Sequence, residues 1–427
     1  MLSVLVTATV ADGHTAPMLA VAEHLVRSGH RVRFLSGERF ADAVRRTGAE
    51  YLPWPSDAFV DHLDDADTRE RAAGVRGVAK GVEEIFIAPG RGQYRAIQAA
   101  MADVPTDVIV TESTVVGAAA TALDPRTRIP VVACGVLPLG LSSIDAAPFG
   151  LGMLPRSDAL GHVRNRALNA LVRHVVLRRP QRLAEQLVRE LTGAGLDVFF
   201  SDWGIHADVF AQLTVPGFEY PRSDLAPNVR FVGPVLGASS RRADLPAWWA
   251  DLDGRTVVHV AQGTVANTDL EELIAPTMRA LADRDVIVVA ATGGAPVESL
   301  GDLPANARVA EFIPYHALMP RVDVFVSNGG YGGLHHALAH GVPMVVAGDT
   351  EDKMETTRRV EWSGVGINLR TARPTEQAIA DAVDRVLRDA SFRDRAWELR
   401  SDIAAAPGLE GLEELIRGVA STAAVDA

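Results

Sequence analysis

Three clusters of residues in this 427-residue chain have the types and spacing to do chemistry. The first is Gly13-His14-Thr15-Ala16-Pro17, close after the apolar run Leu2 to Thr9. An imidazole titrates near working pH, so a neutral His14 at a strand end can take a proton from a hydroxyl as its oxygen forms a new bond. A histidine in such a turn is otherwise a surface or capping residue. The second cluster is Asn328-Gly329-Gly330-Tyr331-Gly332-Gly333, after the apolar run Val324-Phe325-Val326. Glycines at the mouth of a helix let backbone approach a ligand, and the helix's unpaired N–H groups favour an anion. The third is the acidic turn Gly348-Asp349-Thr350-Glu351-Asp352, after the apolar run Val342 to Ala347 and before another helical stretch. Taken together, an anion cradle beside a polar pocket suits a phosphate-bearing ligand with a polyhydroxylated group. Each turn taken alone reads equally as a strand-to-helix connection that needs glycine for its geometry.

The elements that position these clusters alternate. Leu2 to Thr9 predicts a buried strand, followed by a helix starting near Pro17 with Met18, Val21, Ala22 and Leu25 on its apolar face, then a strand from Arg31 to Leu35. Strand, helix, strand implies a right-handed parallel unit. Further strands are expected at Asp107–Val110 and Pro130–Ala133, a long helical stretch at Leu160–Leu191, and last segments of this half at Asp197–Phe200 and Val229–Val232. Gly135 to Asp158, rich in Gly, Pro and Leu without period, is too long for a simple connection and reads as a binding loop. Gly233 to Pro246 has linker composition. The second half restarts with a strand at Val257–Ala261, a helix at Asp269–Leu281, strands at Val286–Ala291 and Arg308–Phe312, and helices from about Thr375 onward. The fold class is therefore α/β, with two halves and a cleft between them where the C-terminal ends of strands bind ligands.

Composition bounds the partners. Hydrophobic residues make up 48% and charged residues 22%, enough to build two ordinary cores. A net charge of −12 argues against a nucleic-acid face and against stable association with an anionic membrane surface. A small diphosphate remains compatible, because backbone amides would bind it. The single cysteine, Cys134, excludes an internal disulfide framework. MLSVLVTATV lacks a basic region and a cleavage site, so it reads as a strand rather than a signal peptide, and a cytoplasmic protein is expected.

The Gly-rich and acidic turns resemble the donor-binding signature of glycosyltransferase family 1, whose members have two facing Rossmann-like domains, the GT-B fold. The resemblance spans nearly the whole chain. It implies an acceptor domain at 1–232, a linker at 233–246, a nucleotide-sugar domain at 247–404, and a last helix within 405–427 that crosses back to the first domain, with Leu409 to Val419 at its centre. It further implies that His14, in a turn like the family's Gly-His-x-x-Pro, deprotonates the acceptor, and that Glu112 stands where the family places an Asp as the partner of that His. Gly13 accompanies it on the donor side. Gly263-Thr264 resembles the family's Gly-Ser turn at the phosphates, and Phe312-Ile313 the segment whose aromatic ring stacks on the base. Asn328 replaces a phosphate-contacting His and can still donate. Gly329, Gly330, Tyr331, Gly332 and Gly333 would complete the diphosphate cradle. Asp352 would accept from two sugar hydroxyls, and Lys353, in place of a Gln, could only donate. Trp54, Phe59, Phe86, Phe149 and Met153, in the looser segments, would wall the acceptor.

The implied activity is inverting, metal-independent transfer of a sugar from a UDP- or dTDP-sugar co-substrate to a hydroxyl of an apolar natural product. No cofactor is expected, and a homodimer is left open. A GT-B sugar-nucleotide epimerase or a non-catalytic nucleotide-sugar-binding protein is the alternative. Other motifs carry less. His335, His336 and His340 share a helical stretch without the pattern of a zinc site, the Asp-x-Asp pairs follow no strand run, and neither G-x-G-x-x-G nor G-x-S-x-G occurs at a suitable place.

Overall fold

The computed structural model describes residues 1–60, 74–127, 129–237, 245–263, 269–349 and 352–426. Among the described residues two wholly parallel sheets form. The first runs β3-β2-β1-β4-β5-β6-β7, built from β1 (Ser3–Thr7), β2 (Arg31–Ser36), β3 (Glu50–Pro53), β4 (Val108–Glu112), β5 (Val131–Gly135), β6 (Val209–Gln212) and β7 (Val229–Phe231). The second runs β10-β9-β8-β11-β12-β13, built from β8 (Val257–Ala261), β9 (Ile287–Ala291), β10 (Ala307–Ala310), β11 (Val324–Ser327), β12 (Met344–Val346) and β13 (Gly366–Asn368). Strand order reverses between β1 and β4 and again between β8 and β11, and a crevice opens at the strand ends of such points. The registers Thr7↔Thr111 and Ser327↔Ala261 bring the key turns side by side at those points.

Both faces of the first sheet are covered, so its strands are continuous apolar runs rather than alternating ones. Val4, Val6, Val108 and Val110 pack with Met18, Val21 and Leu25 of the first helix (Asp12–Arg27) and with Leu412, Ile416 and Ala420 of the last (Gly408–Asp426). Burying side chains of the size of Leu412 and Ile416 contributes roughly 1.5–3 kcal/mol each. The last helix therefore docks on the first domain, as expected, and Glu413 fastens it to Ser28 and His24 at 2.6 and 2.8 Å. No helix among the described residues is long and apolar enough to cross a membrane.

Three local expectations are corrected. The first helix begins at Asp12, not near Pro17, so His14 lies in its first turn. Thr15 sets that start: its amide donates to Ala11 O at 2.8 Å and its hydroxyl to Thr9 O at 2.9 Å, while Pro17 forgoes a single helical bond. The stretch 160–191 is two helices, Ala159–Leu171 and Arg178–Thr192, broken at Leu177, and Pro180 sits in the first turn of the second, where a missing N–H does least harm. The segment Asp197–Phe200 lies outside the sheet: the Gln181 side chain takes its backbone bonds, from Phe200 N at 2.8 Å and to Val198 O at 2.9 Å, and the sheet is continued by β6. The expected helix at Asp269–Leu281 shrinks to Ile274–Ala280, because Gln262 Oε1 accepts from Leu273 N and Ile274 N and holds the preceding residues in turns.

Candidate active site

At the end of β4 the Glu112 side chain is wholly buried, and its Oε2 stands 3.2 Å from Nδ1 of His14, whose side chain is 15% exposed. The Thr114 amide donates to Oε1 at 2.8 Å and the Thr114 hydroxyl to Oε2 at 2.5 Å, while Thr9 Oγ1 lies 2.8 Å from that hydroxyl. Burial pushes the Glu112 carboxyl up, but the His14 imidazole and the two Thr114 bonds outweigh it and hold the group below its ordinary value. A carboxylate only accepts, so Nδ1 carries a proton toward Glu112 and Nε2 is the nitrogen able to take one. The order β1–β4 thus brings an imidazole and a buried carboxylate together. Gly13 lies beside His14, and a Cβ there would meet nothing within 4 Å.

The second turn is shaped by steric necessity. Gly329 has φ +92°, and a Cβ on it would lie 2.7 Å from Thr357 Cγ2. A Cβ on Gly348 would lie 2.1 Å from Asn328 O, so the turns after β11 and β12 are pressed backbone to backbone. Asn328 is buried, donating through Nδ2 to Gln262 O at 2.6 Å and accepting from Gly330 N at 3.4 Å. One hydrogen of the expected phosphate donor is therefore engaged in joining β11 to β8. The first bond inside helix Tyr331–Ala339 runs from Leu334 N to Gly330 O, and a Cβ on Gly332 would meet nothing within 4 Å, so the helix mouth has room for a ligand. Gly333 is half-buried and faces the Phe325 ring. The Tyr331 side chain is buried, and its hydroxyl donates to Glu219 Oε1 at 3.2 Å. Only its backbone can serve the cradle.

Asp352 immediately precedes helix Lys353–Ser363 and is half-buried, and Lys353 is buried beside it. Gly263 turns with φ +75°, whereas Thr264 lies outside the described residues. Phe312 is 38% exposed beyond the end of β10, its ring 3.2 Å from where a Cβ on Gly294 would stand. Gly294 lines a cavity of about 620 Å³ together with Asp269, Glu271, Gly293, Ala295 and Ser299. Ile313 packs in the second core, so its side chain is structural.

The acceptor wall is revised most. Trp54 is 5% exposed and donates from Nε1 to Ala8 O at 3.1 Å, a core residue under the end of β1 rather than a wall. Phe59 packs, half-buried, on the same core, and Phe86 is half-buried in the turn Glu83–Ile87. Phe149 is 37% exposed and Met153 half-buried, both in the loop after β5. That loop meets helix 353–363: Gly150 N and Gly152 N donate to Glu355 Oε1. The C-terminal edges of the two sheets therefore face one another across the cleft. Sequence reasoning did not find Thr114, Glu219 or Glu355, because no motif marks a hydrogen-bond partner. His335 bonds the Thr214 hydroxyl at 2.8 Å and His340 the His336 carbonyl at 2.8 Å, both roles within the fold.

A family model described as Erythromycin biosynthesis protein CIII-like, C-terminal domain, matches residues 275–415. The 4'-demethylrebeccamycin synthase of Lentzea aerocolonigenes is 45% identical, the match covering 97% of this chain and 99% of that one. UDP-glucosyltransferase 1 of Beauveria bassiana (strain ARSEF 2860) is 34% identical over 97% of this chain and 95% of its own. Among solved structures, the glycotransferase of kitacinnamycin superposes with a TM-score of 0.76 at 22% identity, covering 98% of this chain and 99% of that chain, a likeness of fold.

Proposed function

The chain belongs to the GT-B nucleotide-sugar glycosyltransferases of natural-product biosynthesis, and from that premise we propose an inverting transfer, without a metal, from a UDP- or dTDP-sugar to a hydroxyl of an apolar small molecule. The His14–Glu112 pair at the β1–β4 crevice carries this reading. His14 Nε2 accepts the acceptor's hydroxyl proton while the freed oxygen bonds to the anomeric carbon, and the bond from that carbon to the diphosphate oxygen breaks on the opposite face. Glu112 holds the ring's orientation and stabilises the imidazolium. Backbone N–H groups from Gly330 to Gly333 meet the negative charge that gathers on the leaving diphosphate, an electrostatic stabilisation set before the reaction begins. Asp352 accepts from sugar hydroxyls, with Lys353 a donor beside it, and Phe312 offers its exposed ring to the base. Phe149 and Met153 wall the acceptor. Neither the binding-only nor the epimerase alternative is favoured, since the curated relatives are named a synthase and a glucosyltransferase.

Thermal unfolding with UDP and with dTDP, each with Mg²⁺ and with EDTA, tests this. A ligand at 100 times its Kd stabilises the folded state by about 2.7 kcal/mol. A raised Tm with one nucleotide, unchanged by EDTA, is expected and selects the donor. A panel of apolar aglycones that carry phenol or alcohol hydroxyls is then the acceptor screen, and the product should carry the anomeric configuration opposite to the donor's. No shift with either nucleotide at millimolar concentration would contradict the donor site.

A further inference from the structure

The loop after β5 is held on both limbs by a chain of buried charges that crosses between the two halves. Near its start, Leu139 N donates to Glu219 Oε1 at 2.9 Å. On its far limb, Gly150 N and Gly152 N both donate to Glu355 Oε1, each at 2.9 Å. Arg359 joins the two acids, through Nε to Glu219 Oε2 at 2.7 Å and through Nη1 to Glu355 Oε2 at 3.1 Å, with its guanidinium 4.3 Å from the Tyr220 ring centre. Glu219, Glu355 and Arg359 are 2%, 4% and 1% exposed. Charges buried this far are tolerable only when their hydrogen bonds are satisfied, and here several of those bonds cross from one domain to the other.

What the chain connects is specific. Glu355 stands in the first turn of helix 353–363, two residues after Lys353. Glu219 also takes the hydroxyl of Tyr331, the first residue of the helix behind the Gly-rich turn. Gly150 and Gly152, with φ +93° and +54°, are bent so that both amides reach one oxygen, and a Cβ on Gly152 would lie 3.1 Å from Met354 Cβ. The segment Phe149–Met153 is therefore seated on the turn assigned to the donor's sugar.

The geometry points to Glu355 as a positioning residue that couples the acceptor wall to donor occupancy. A nucleotide-sugar at Asp352 and the Gly-rich turn fixes the first turn of helix 353–363. Glu355 passes that order to Gly150 and Gly152, and Arg359 with Glu219 passes it to Leu139. The wall is then completed after the donor arrives, and by linkage a bound acceptor tightens the donor in return. This rests on the donor reading above.

Amide hydrogen exchange over 148–154 tests it, in the full chain, for wild type, Glu355→Ala and Glu355→Gln, with and without saturating UDP-glucose or dTDP-glucose, and with the Tm recorded alongside. In wild type the nucleotide should slow Gly150 and Gly152 by about tenfold or more. In Glu355→Ala both should exchange fast with or without nucleotide, although the nucleotide still raises the Tm. Glu355→Gln keeps an oxygen able to accept both bonds and should restore most of the slowing, a rescue that a simple packing role would not require. If Glu355→Ala does not fold, Glu355→Asp, one methylene short of the two amides, takes its place with the same expectation. A Tm that rises while Gly150 and Gly152 exchange unchanged overturns the coupling and leaves the donor reading standing, as does slowing that persists in the Ala or Asp variant. A Tm that rises with neither nucleotide overturns both.

Discussion

Nδ1 of His14 lies 3.2 Å from Oε2 of Glu112, and the same carboxylate is tied to Thr114 by two further bonds. The carboxylate thus has one orientation to offer the ring. Glu112→Gln removes its charge and can present an N–H₂ to Nδ1, which favours the wrong tautomer. Transfer should fall by about 10²-fold or more, carried by kcat with the donor KM little changed, as measured in steady-state assays. A loss confined to the donor KM would place Glu112 outside the base's machinery.

The contact between Gly348 and Asn328 separates shape from chemistry at the Gly-rich turn. In Gly348→Ala a new Cβ would fall 2.1 Å from the Asn328 carbonyl, and backbone must move. The variant should lose roughly 1–3 kcal/mol in urea denaturation together with its nucleotide-induced Tm shift. Gly332→Ala meets nothing within 4 Å, so it should fold as wild type and lose nucleotide affinity alone.

Glu219 is the nearer of the two buried carboxylates that pair with Arg359, at 2.7 Å against 3.1 Å for Glu355. With Arg359 1% exposed, Glu219→Ala should cost about 3–5 kcal/mol in denaturant unfolding. The double variant Glu219→Leu with Arg359→Met should lose less than the sum of its two single changes, because the Glu219–Arg359 pair is removed together while Glu355 keeps the Gly150 and Gly152 amides.

The last helix carries a pH-dependent fastening. Burial pushes the Glu413 carboxyl up, but bonds from Ser28, Arg417, His30 and His24 outweigh it and bring the group down to about 2. A carboxyl lowered in the folded state contributes stability that is full above its unfolded pKa, about 4.3, and is lost as pH falls through the folded value. Glu413→Gln should therefore lower the Tm at pH 7, with the difference from wild type shrinking below about pH 4 and vanishing near pH 2.

Much of the fold was legible because buried parallel strands announce themselves as apolar runs: Leu2–Thr9 and Val324–Val326 contain β1 and β11 or fall within them. What was hidden is what side chains decide at a distance. Gln262 postpones a helix by several residues, holding Leu273 and Ile274 with its side-chain oxygen. In the candidate site the Gly-rich turn stood out by local pattern, whereas the roles expected of His14 and Glu112 came with the family resemblance. Trp54 could not be placed by pattern: an aromatic beside prolines looks the same whether it lines a cleft or, as here, bonds Ala8 from inside the core. Glu355 and Glu219 carry no local signal at all, because their roles depend on two domains meeting.

The most direct test of the central claim is a transfer assay of wild type and His14→Ala run beside nucleotide-induced thermal shifts of both proteins. His14→Ala should lose transfer by about 10²-fold or more while keeping a wild-type Tm shift, because the base and the donor cradle lie on different sheets. Transfer that survives the substitution would contradict His14 as the base, and a Tm shift lost together with transfer would place His14 in donor binding instead.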